Sequence, residues 1–494
     1  MNKKLAALLL AFLLLLISLL ASCAGSPAPA SGGASDSADT TQTAGEEEES
    51  YIFPSLDLGG EDFTMLNTTT TWGFYEHLDH ETMTGEVLDD AIYTRNRQIE
   101  KNFNLKINVV EEIIDNIYSK MTTVIKAGEN IYDAIFCPGW TGDTSYIGAF
   151  AIEGMFYDLS QILEINLESD WWSQKLRTEG AIGKNGVLYF AANDINVSTL
   201  QGTWCLFFNE NLFVDMNLGR PYGLVKDGTW TFDKFAELVK AGANLNGDES
   251  FSWNADGNCI YGYTSFNAGT LALLLGSGER FIGKDDEGYP ILALETQRFF
   301  DVSTKVAELL GTEGYYINAN EAIDSKFHYE NIFMNGRALF TCAELKAATR
   351  LRTMDDTYGI VPMPKFEEAQ PGYFSVKTRQ AYVLVIPVTN QNPSQTGAIL
   401  DAMAYVSYKD VTPVLYDVTI SQKGLRNEES IEMLKIIRDT QYFDVGIIYG
   451  WTSALNGAVI TAVDGGDSNV ASIIGKYRKQ VNASIEKTMD VFYG

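Results

Sequence analysis

Leu105-Lys106-Ile107-Asn108-Val109-Val110, then a helical pattern over residues 116–127, then Tyr132-Asp133-Ala134-Ile135-Phe136-Cys137 is the stretch whose reading decides the fold. The first and last pieces are short, apolar and rich in β-branched or aromatic side chains, which suits strands of a buried sheet. The piece between them repeats its apolar residues at helical spacing. Working outward, residues 61–66 read as a preceding strand and 86–104 as a helix, so the order is strand, helix, strand, helix, strand. Helices of this length between strands imply βαβ units and a mainly parallel sheet, with right-handed crossovers. A second series begins at residues 205–208, which lead into Asn209 and a helix. Trp230-Thr231-Phe232-Asp233 then opens another, with Thr231 as N-cap and Asp233 in the positive first turn. The pattern predicts two α/β bodies in one chain of 494 residues.

The flanks set the expected address. Lys3 and Lys4 precede an apolar run over residues 5–20, too short for a comfortable membrane span and flanked like a secretory signal. Leu20-Ala21-Ser22-Cys23 resembles the lipobox of bacterial lipoproteins. It implies removal of residues 1–22 and a lipidated Cys23, hence a protein tethered outside the cytoplasmic membrane. Several acyl chains, at about 0.8 kcal/mol per buried CH₂, would make the anchor permanent. Residues 24–50 carry no aromatic and no aliphatic side chain larger than alanine, and close on Glu46-Glu47-Glu48-Glu49. They cannot bury enough apolar area to offset ordering, and read as a solvated tether reaching on the order of 30 Å.

Composition excludes several functions. With 36 Lys+Arg against 65 Asp+Glu the formal charge is −29, which would repel a nucleic-acid backbone. His77, His80 and His328 are the only histidines, which handicaps His-centred catalysis and multi-His metal cages. No Gly-x-Ser-x-Gly elbow or Walker-type phosphate loop occurs, and Gly276-Ser277-Gly278 lacks the third glycine of a dinucleotide fingerprint. His77-Leu78-Asp79-His80-Glu81 lacks zincin spacing and reads as a solvated loop. Asn244, Asn246 and Asp248 alternate as in a calcium loop, but Glu249 replaces the turn glycine and Ala255 the last carboxylate. An ordinary polar turn is expected there. Cys137, Cys205, Cys259 and Cys342 sit in apolar contexts and are expected as buried free thiols, although one or two bridges would be compatible with export. No carboxylate pair stands out as a glycosidase pair.

Aromatic side chains in polar, glycine-rich loops just after strands do stand out: Trp72, Trp140, Trp204 and Trp451. In open α/β sheets ligands bind beyond the carboxyl ends of strands. A flat ring there suits the apolar face of a sugar, while Asp, Glu and Asn accept its hydroxyl protons. The competing reading for each tryptophan is half-buried packing, and for Trp230, beside a helix start, packing is expected.

The motifs in order resemble the extracellular solute-binding lipoproteins of ABC importers, the carbohydrate-type group that includes maltodextrin-binding proteins. They run through Asp90-Ala91-Ile92-Tyr93-Thr94-Arg95-Asn96, Gly186-Val187-Leu188-Tyr189-Phe190 and Leu206-Phe207-Phe208-Asn209-Glu210-Asn211-Leu212-Phe213. Phe333-Met334-Asn335-Gly336-Arg337-Ala338-Leu339-Phe340 and Tyr358-Gly359-Ile360-Val361-Pro362-Met363-Pro364 follow, so the likeness covers about residues 61–410. The C-terminal stretch around Tyr449-Gly450-Trp451 resembles a Gram-positive, gut-type branch. The resemblance implies a two-lobed, type II periplasmic-binding-protein-like fold joined by hinge strands. Its first lobe would be residues 51–200 with 358–410, its second 201–357 with 411–494. It implies closure of the lobes on a sugar or oligosaccharide, delivery to an ABC permease, no bond broken, no cofactor and a monomer. The ligand residues it implies are Trp72, Trp140, Asp143, Asp194, Trp204, Glu344 and Trp451. At Glu344 the sequence departs from the Pro-Trp pair of maltodextrin binders. The alternatives are a binder of peptides or charged solutes, a partner of a membrane sensor, and a secreted lipoprotein glycosidase.

Overall fold

The computed structural model describes residues 51–70, 75–140, 146–254, 256–321, 328–378, 381–420 and 428–494. Cys23 and the tether, Trp72 and Asp143 lie outside the described residues.

The chain opens with β1 (Asp62–Thr69), α1 (Val87–Phe103), β2 (Lys106–Ile113), α2 (Ile117–Lys126) and β3 (Ala134–Pro138), followed by the short α3 (Ile147–Ile152). In α1 the buried Ile92, Asn96, Ile99 and Phe103 recur at helical spacing. Asp89 and Asp90 in its first turn and Lys101 in its last complement the helix dipole. Asn104 ends the helix at φ 46°, returning its N–H to the Glu100 carbonyl. β1 pairs in parallel with both β2 and β3, as the βαβ reading requires.

The second body holds β4 (Trp204–Asn209), α4 (Phe232–Gly242), β5 (Tyr261–Ser265), α5 (Asn267–Gly276), α6 (Gln297–Leu310), β6 (Tyr316–Asn318), β7 (Ala338–Glu344) and β8 (Tyr358–Val361). Thr231 caps α4 by accepting the N–H of Lys234. The chain then runs through β9 (Ser375–Val376), β10 (Tyr382–Val385), α7 (Pro393–Val406), α8 (Thr412–Ile420), α9 (Glu428–Asp439) and β11 (Gln441–Tyr442). It ends in α10 (Ser453–Asp464) and α11 (Val470–Tyr493).

The two larger sheets have the orders β10-β3-β1-β2 and β8-β4-β7-β5-β6. The second is parallel across β7, β5 and β6 but antiparallel where β4 meets β7 and β8. The reason is the crossing. β4 comes from the first lobe, so it starts at the end of the sheet where the parallel strands finish: Trp204, its first residue, faces Glu344, the last of β7. β10 likewise returns to the first sheet antiparallel to β3, with Tyr382 opposite Pro138. The carboxyl ends of the parallel strands in both sheets therefore meet the crossing segments.

Residues 358–361, expected with the first lobe, pair with β4 in the second sheet. α8, expected with the second, sends Leu415 into a cluster with Ile92 of α1, Val197 and Leu200. Both are long-range contacts to which local periodicity is blind.

At the hinge, Thr203 bridges Lys377, and β9 pairs in parallel with β11. Lys377 is buried there, its ammonium donating to Thr203 Oγ1 at 2.8 Å and to the Thr199 carbonyl. Burial pushes its pKa far down, against the attraction of Asp194. The Arg95-Asn96 pair is a second junction. Arg95, 1% exposed, donates to the carbonyls of Leu78 and Ile195 and to Ser407 Oγ, fastening α1 to the approach to the hinge. Cys137, Cys205, Cys259 and Cys342 are buried free thiols.

Candidate functional site

The strand ends and the crossing segments form a crevice. On the first-lobe side stand Glu76, beyond β1, and Trp140, just beyond β3. Trp140 bridges Tyr146 at the start of α3, and the Gly139 N–H donates to the Ala381 carbonyl at 3.2 Å. At the floor, the Thr378 N–H donates to the Gly202 carbonyl at 2.8 Å. On the second-lobe side stand Trp204, Phe266 beyond β5, Glu344 and Lys346. The Trp204 ring lies edge-on to Phe266, with centroids 5.6 Å apart.

An ionic bridge spans the crevice. Lys346 is paired with Glu76, and Gln201 Nε2 donates to the same Glu76 oxygen at 2.8 Å. The Glu76 N–H is held in turn by Ser198 Oγ at 2.9 Å, and the Lys346 N–H by the Gln201 carbonyl at 3.1 Å. Both charged side chains are about four-fifths buried, a setting in which the pair is screened less than a surface ion pair. The lobes also touch through backbone. A Cβ on Gly148 of α3 would lie 2.6 Å from the Tyr449 Cα, and Gly450, at φ 72°, sits against the Tyr146 ring.

Of the residues singled out in the sequence, Trp204 and Glu344 stand opposite each other at the start of β4 and the end of β7, and Trp140 stands just beyond β3. Trp204 is only 3% exposed and packs in the core behind the crevice, against Phe266. Trp451 is 4% exposed. Its ring stacks on Tyr449 at 4.6 Å, and its indole N–H donates to Thr488 Oγ1 of α11 at 2.8 Å, which places it in the packing behind the crevice wall. Asp194 lies elsewhere, accepting from Thr412 Oγ1 at 2.8 Å and paired with Arg438 at 3.4 Å. Burial raises its pKa, against the pull of Arg438.

The metal-like motifs resolve into local bonding. His77 Nδ1 lies 2.7 Å from Glu111 of β2, and the His80 ring meets the His77 ring edge-on. Asp248 accepts the N–H groups of Asn258 and Cys259 at 2.6 and 2.8 Å, closing the 244–259 loop on itself. Among the described residues no group of three or more His, Cys, Asp or Glu could hold a metal ion. No helix among them is long and apolar enough to cross a membrane.

Sequence reasoning missed Glu76, Gln201, Phe266 and Lys346. Phe266 had a signal, since it directly follows a strand. Glu76 and Lys346 had none, being 270 positions apart.

No family model matches the sequence, and no curated protein matches it. Solved structures do match in fold. A sugar transporter protein from Rhizobium etli, in an open conformation, aligns over 85% of this chain and 99% of its own at 15% identity and TM-score 0.57. UgpB from Mycobacterium tuberculosis, in complex with glycerophosphocholine, aligns over 87% and 99% at 12% identity and TM-score 0.54. An ABC substrate-binding protein from Listeria monocytogenes, in complex with cycloalternan, aligns over 88% and 99% at 12% identity and TM-score 0.52. The chain thus shares the fold of type II ABC solute-binding proteins over nearly their whole length.

Proposed function

We propose that this chain is an extracytoplasmic solute-binding protein. It captures a sugar or oligosaccharide in the crevice between its lobes and delivers it, chemically unchanged, to an ABC importer. The observation that carries this reading is the crevice at the strand ends of both sheets, where Trp140 and Phe266 offer ring surface beside the carboxylates of Glu76 and Glu344. Rings take the apolar face of a pyranose, and carboxylates accept its hydroxyl protons. Structures sharing the fold were solved with saccharides such as cycloalternan, acarbose and maltotetraose, which supports the class of ligand.

A ligand that contacts both walls binds the closed arrangement better than an open one, and so shifts the population toward it. The first lobe in this reading is residues 51–200 with about 382–420, the second 201–361 with 428–494, and the segments between them are the hinge. Trp72 and Asp143, in the loops after β1 and β3, complete the proposed ligand set. Cys23 is the proposed lipid attachment site, holding a monomeric receptor at the outer face of the cytoplasmic membrane, in a Gram-positive envelope, beside its permease.

The glycerophosphocholine complex of UgpB favours one second reading, a ligand bearing a charged group, for which Lys346 would be the counter-ion once released from Glu76. Thermal unfolding against neutral glycans, polyols, peptides and phosphodiesters separates the two. A ligand at 100 times its dissociation constant stabilises the native state by about 2.7 kcal/mol. A shift with a glycan that is recovered intact supports the receptor. Degradation of the glycan would replace it with a hydrolase, and a shift with phosphodiesters alone would move the ligand class.

A further inference from the structure

A cavity of about 470 Å³ lies apart from the crevice. It lies beside the hinge and shares none of Trp140, Trp204, Glu344 or Lys346. One wall comes from the first lobe: residues 170–175, Asn193, Asp194 and Tyr408. The other comes from α9 and β11: Lys435, Arg438, Asp439 and Gln441. α9 is fastened to the second lobe, with Ser430 Oγ 3.1 Å from the Tyr222 hydroxyl and Glu432 paired with Lys226 at 2.5 Å. The cavity therefore spans the two lobes, and Thr199 and Leu200, just ahead of the first crossing, line its edge.

Its lining is built and unsatisfied at once. Asp401 fixes the doublet Trp171-Trp172 by accepting both indole N–H groups, at 2.9 and 2.8 Å. The Asp194–Arg438 pair crosses the cavity wall, and the Arg438 guanidinium lies 4.8 Å over the Tyr408 ring. Asn193 is 5% exposed. Its Oδ1 accepts the Ile195 N–H at 2.9 Å, yet its amide Nδ2 is buried with no hydrogen-bond partner. A buried donor without a partner costs about 1–3 kcal/mol, which a bound acceptor would remove. Lys435, Asp170 and Asp439 are exposed at the mouth of the cavity and offer charged groups that a ligand's hydroxyls can meet. The formal charges of the lining, Lys175, Lys435 and Arg438 against Asp170, Asp194 and Asp439, cancel.

We propose that this cavity is a second binding site, for a neutral polyhydroxy compound of mono- to disaccharide size, and that its occupant clamps the lobes together from beside the hinge. Hydroxyls both donate and accept, so one such ligand satisfies the Asn193 amide, the Lys435 ammonium and the Asp170 and Asp439 carboxylates, with ring surface at Trp171 and Tyr408. The volume falls within the range of about 300–1,000 Å³ that small-ligand pockets occupy. Because its walls belong to different lobes, an occupant favours closure and raises affinity in the crevice, and the coupling is reciprocal.

Hydrogen–deuterium exchange on the purified full chain locates the site without requiring any variant to fold. The probes are neutral pentoses, hexoses, disaccharides and hexitols at millimolar concentration, with glutamine as a zwitterionic control. At least one neutral probe is expected to protect residues 170–175 and 435–441. That protection persists in Trp140→Ala, which disables the crevice. It needs about tenfold more ligand in Lys435→Met, an exposed position on α9 whose loss removes one charged hydrogen bond. Protection confined to the crevice segments, protection by glutamine alone, none with any probe, or Lys435→Met binding as the parent does would each overturn the proposal. In the parent protein, a cavity response with no protection of the crevice segments by any probe would count against the proposed function alone.

Discussion

Lys346, two residues beyond the end of β7, forms an ion pair with Glu76, beyond β1, and so joins the two lobes across the crevice. The ends of this bridge lie on different sheets, and the pair exists only while the lobes are together. It should bias the ligand-free protein toward closure. Removing one partner of a half-screened pair costs on the order of 1 kcal/mol, about a fivefold change in the closed-to-open ratio. Glu76→Gln is therefore expected to raise the ligand-free radius of gyration in small-angle X-ray scattering, and salt should do the same to the parent but not to the variant. Equal radii for parent and variant at low salt would show that the pair does not set the equilibrium.

Gly148 offers a sharper wedge. Its Cβ would stand 2.6 Å from the Tyr449 Cα and 2.5 Å from the ring of the same residue, and a backbone atom cannot swing aside. Since α3 belongs to the first lobe and Tyr449 to the segment packed with α11, Gly148→Ala should hold the lobes apart. Affinity for any solute that needs closure is expected to fall at least tenfold, with the melting temperature of the ligand-free protein little changed. Normal affinity in this variant would place the two surfaces in contact for reasons unrelated to binding.

The tryptophans divide by what they touch. Trp451→Phe keeps the stacking on Tyr449 but loses the 2.8 Å bond to Thr488, and leaves that buried hydroxyl its intrahelical acceptor on Ser484. A destabilisation of about 1–2 kcal/mol is expected, read as a lower urea midpoint, with solute affinity within twofold. Trp140→Ala should show the reverse, at least tenfold weaker binding at nearly unchanged stability. A large affinity loss in Trp451→Phe would return that residue to the ligand.

The contrast also shows how far the sequence carries. The β1–β3 series is legible because each helix has one clean buried face and each strand is short and bounded by polar turns, so boundaries fall within a few residues of those expected. The Thr231 cap is legible because capping chemistry is local. Tyr358–Val361 is buried throughout and carries no alternation to say which sheet it joins, and its partner β4 lies about 150 residues away. Trp204 and Glu344 could be picked out as strand-end residues, though only the register of β4 on β7 makes them neighbours. Trp451 follows a glycine turn much as Trp140 follows Pro138-Gly139. What separates them is α11 folding back over the former, a long-range event without a local mark.

Asp444 ties acidity to the hinge. It follows β11, caps the next turn by accepting the Ile447 N–H at 3.3 Å, and holds the Phe281 N–H at 3.1 Å and the Tyr442 hydroxyl at 3.4 Å. Burial pushes its pKa up to about 6 from an ordinary 3.8, the hydrogen bonds opposing it. A carboxylic acid with a raised folded-state pKa keeps its proton in the native state after the unfolded chain has lost it. The native state thus binds more protons between about pH 4 and 6, and stability falls as pH rises through that window. The loss is complete above pH 6, at roughly 3 kcal/mol. Asp444→Asn retains an acceptor for Ile447 but cannot satisfy Phe281 and Tyr442 equally, a cost that does not vary with pH. Relative to the parent, the variant should therefore gain stability steadily from pH 4 to 6 and hold that gain above it. Urea unfolding at four pH values measures this directly. Parallel stability curves for parent and variant would mean that Asp444 is ionised in the folded protein throughout, held by its hydrogen bonds against the pull of burial.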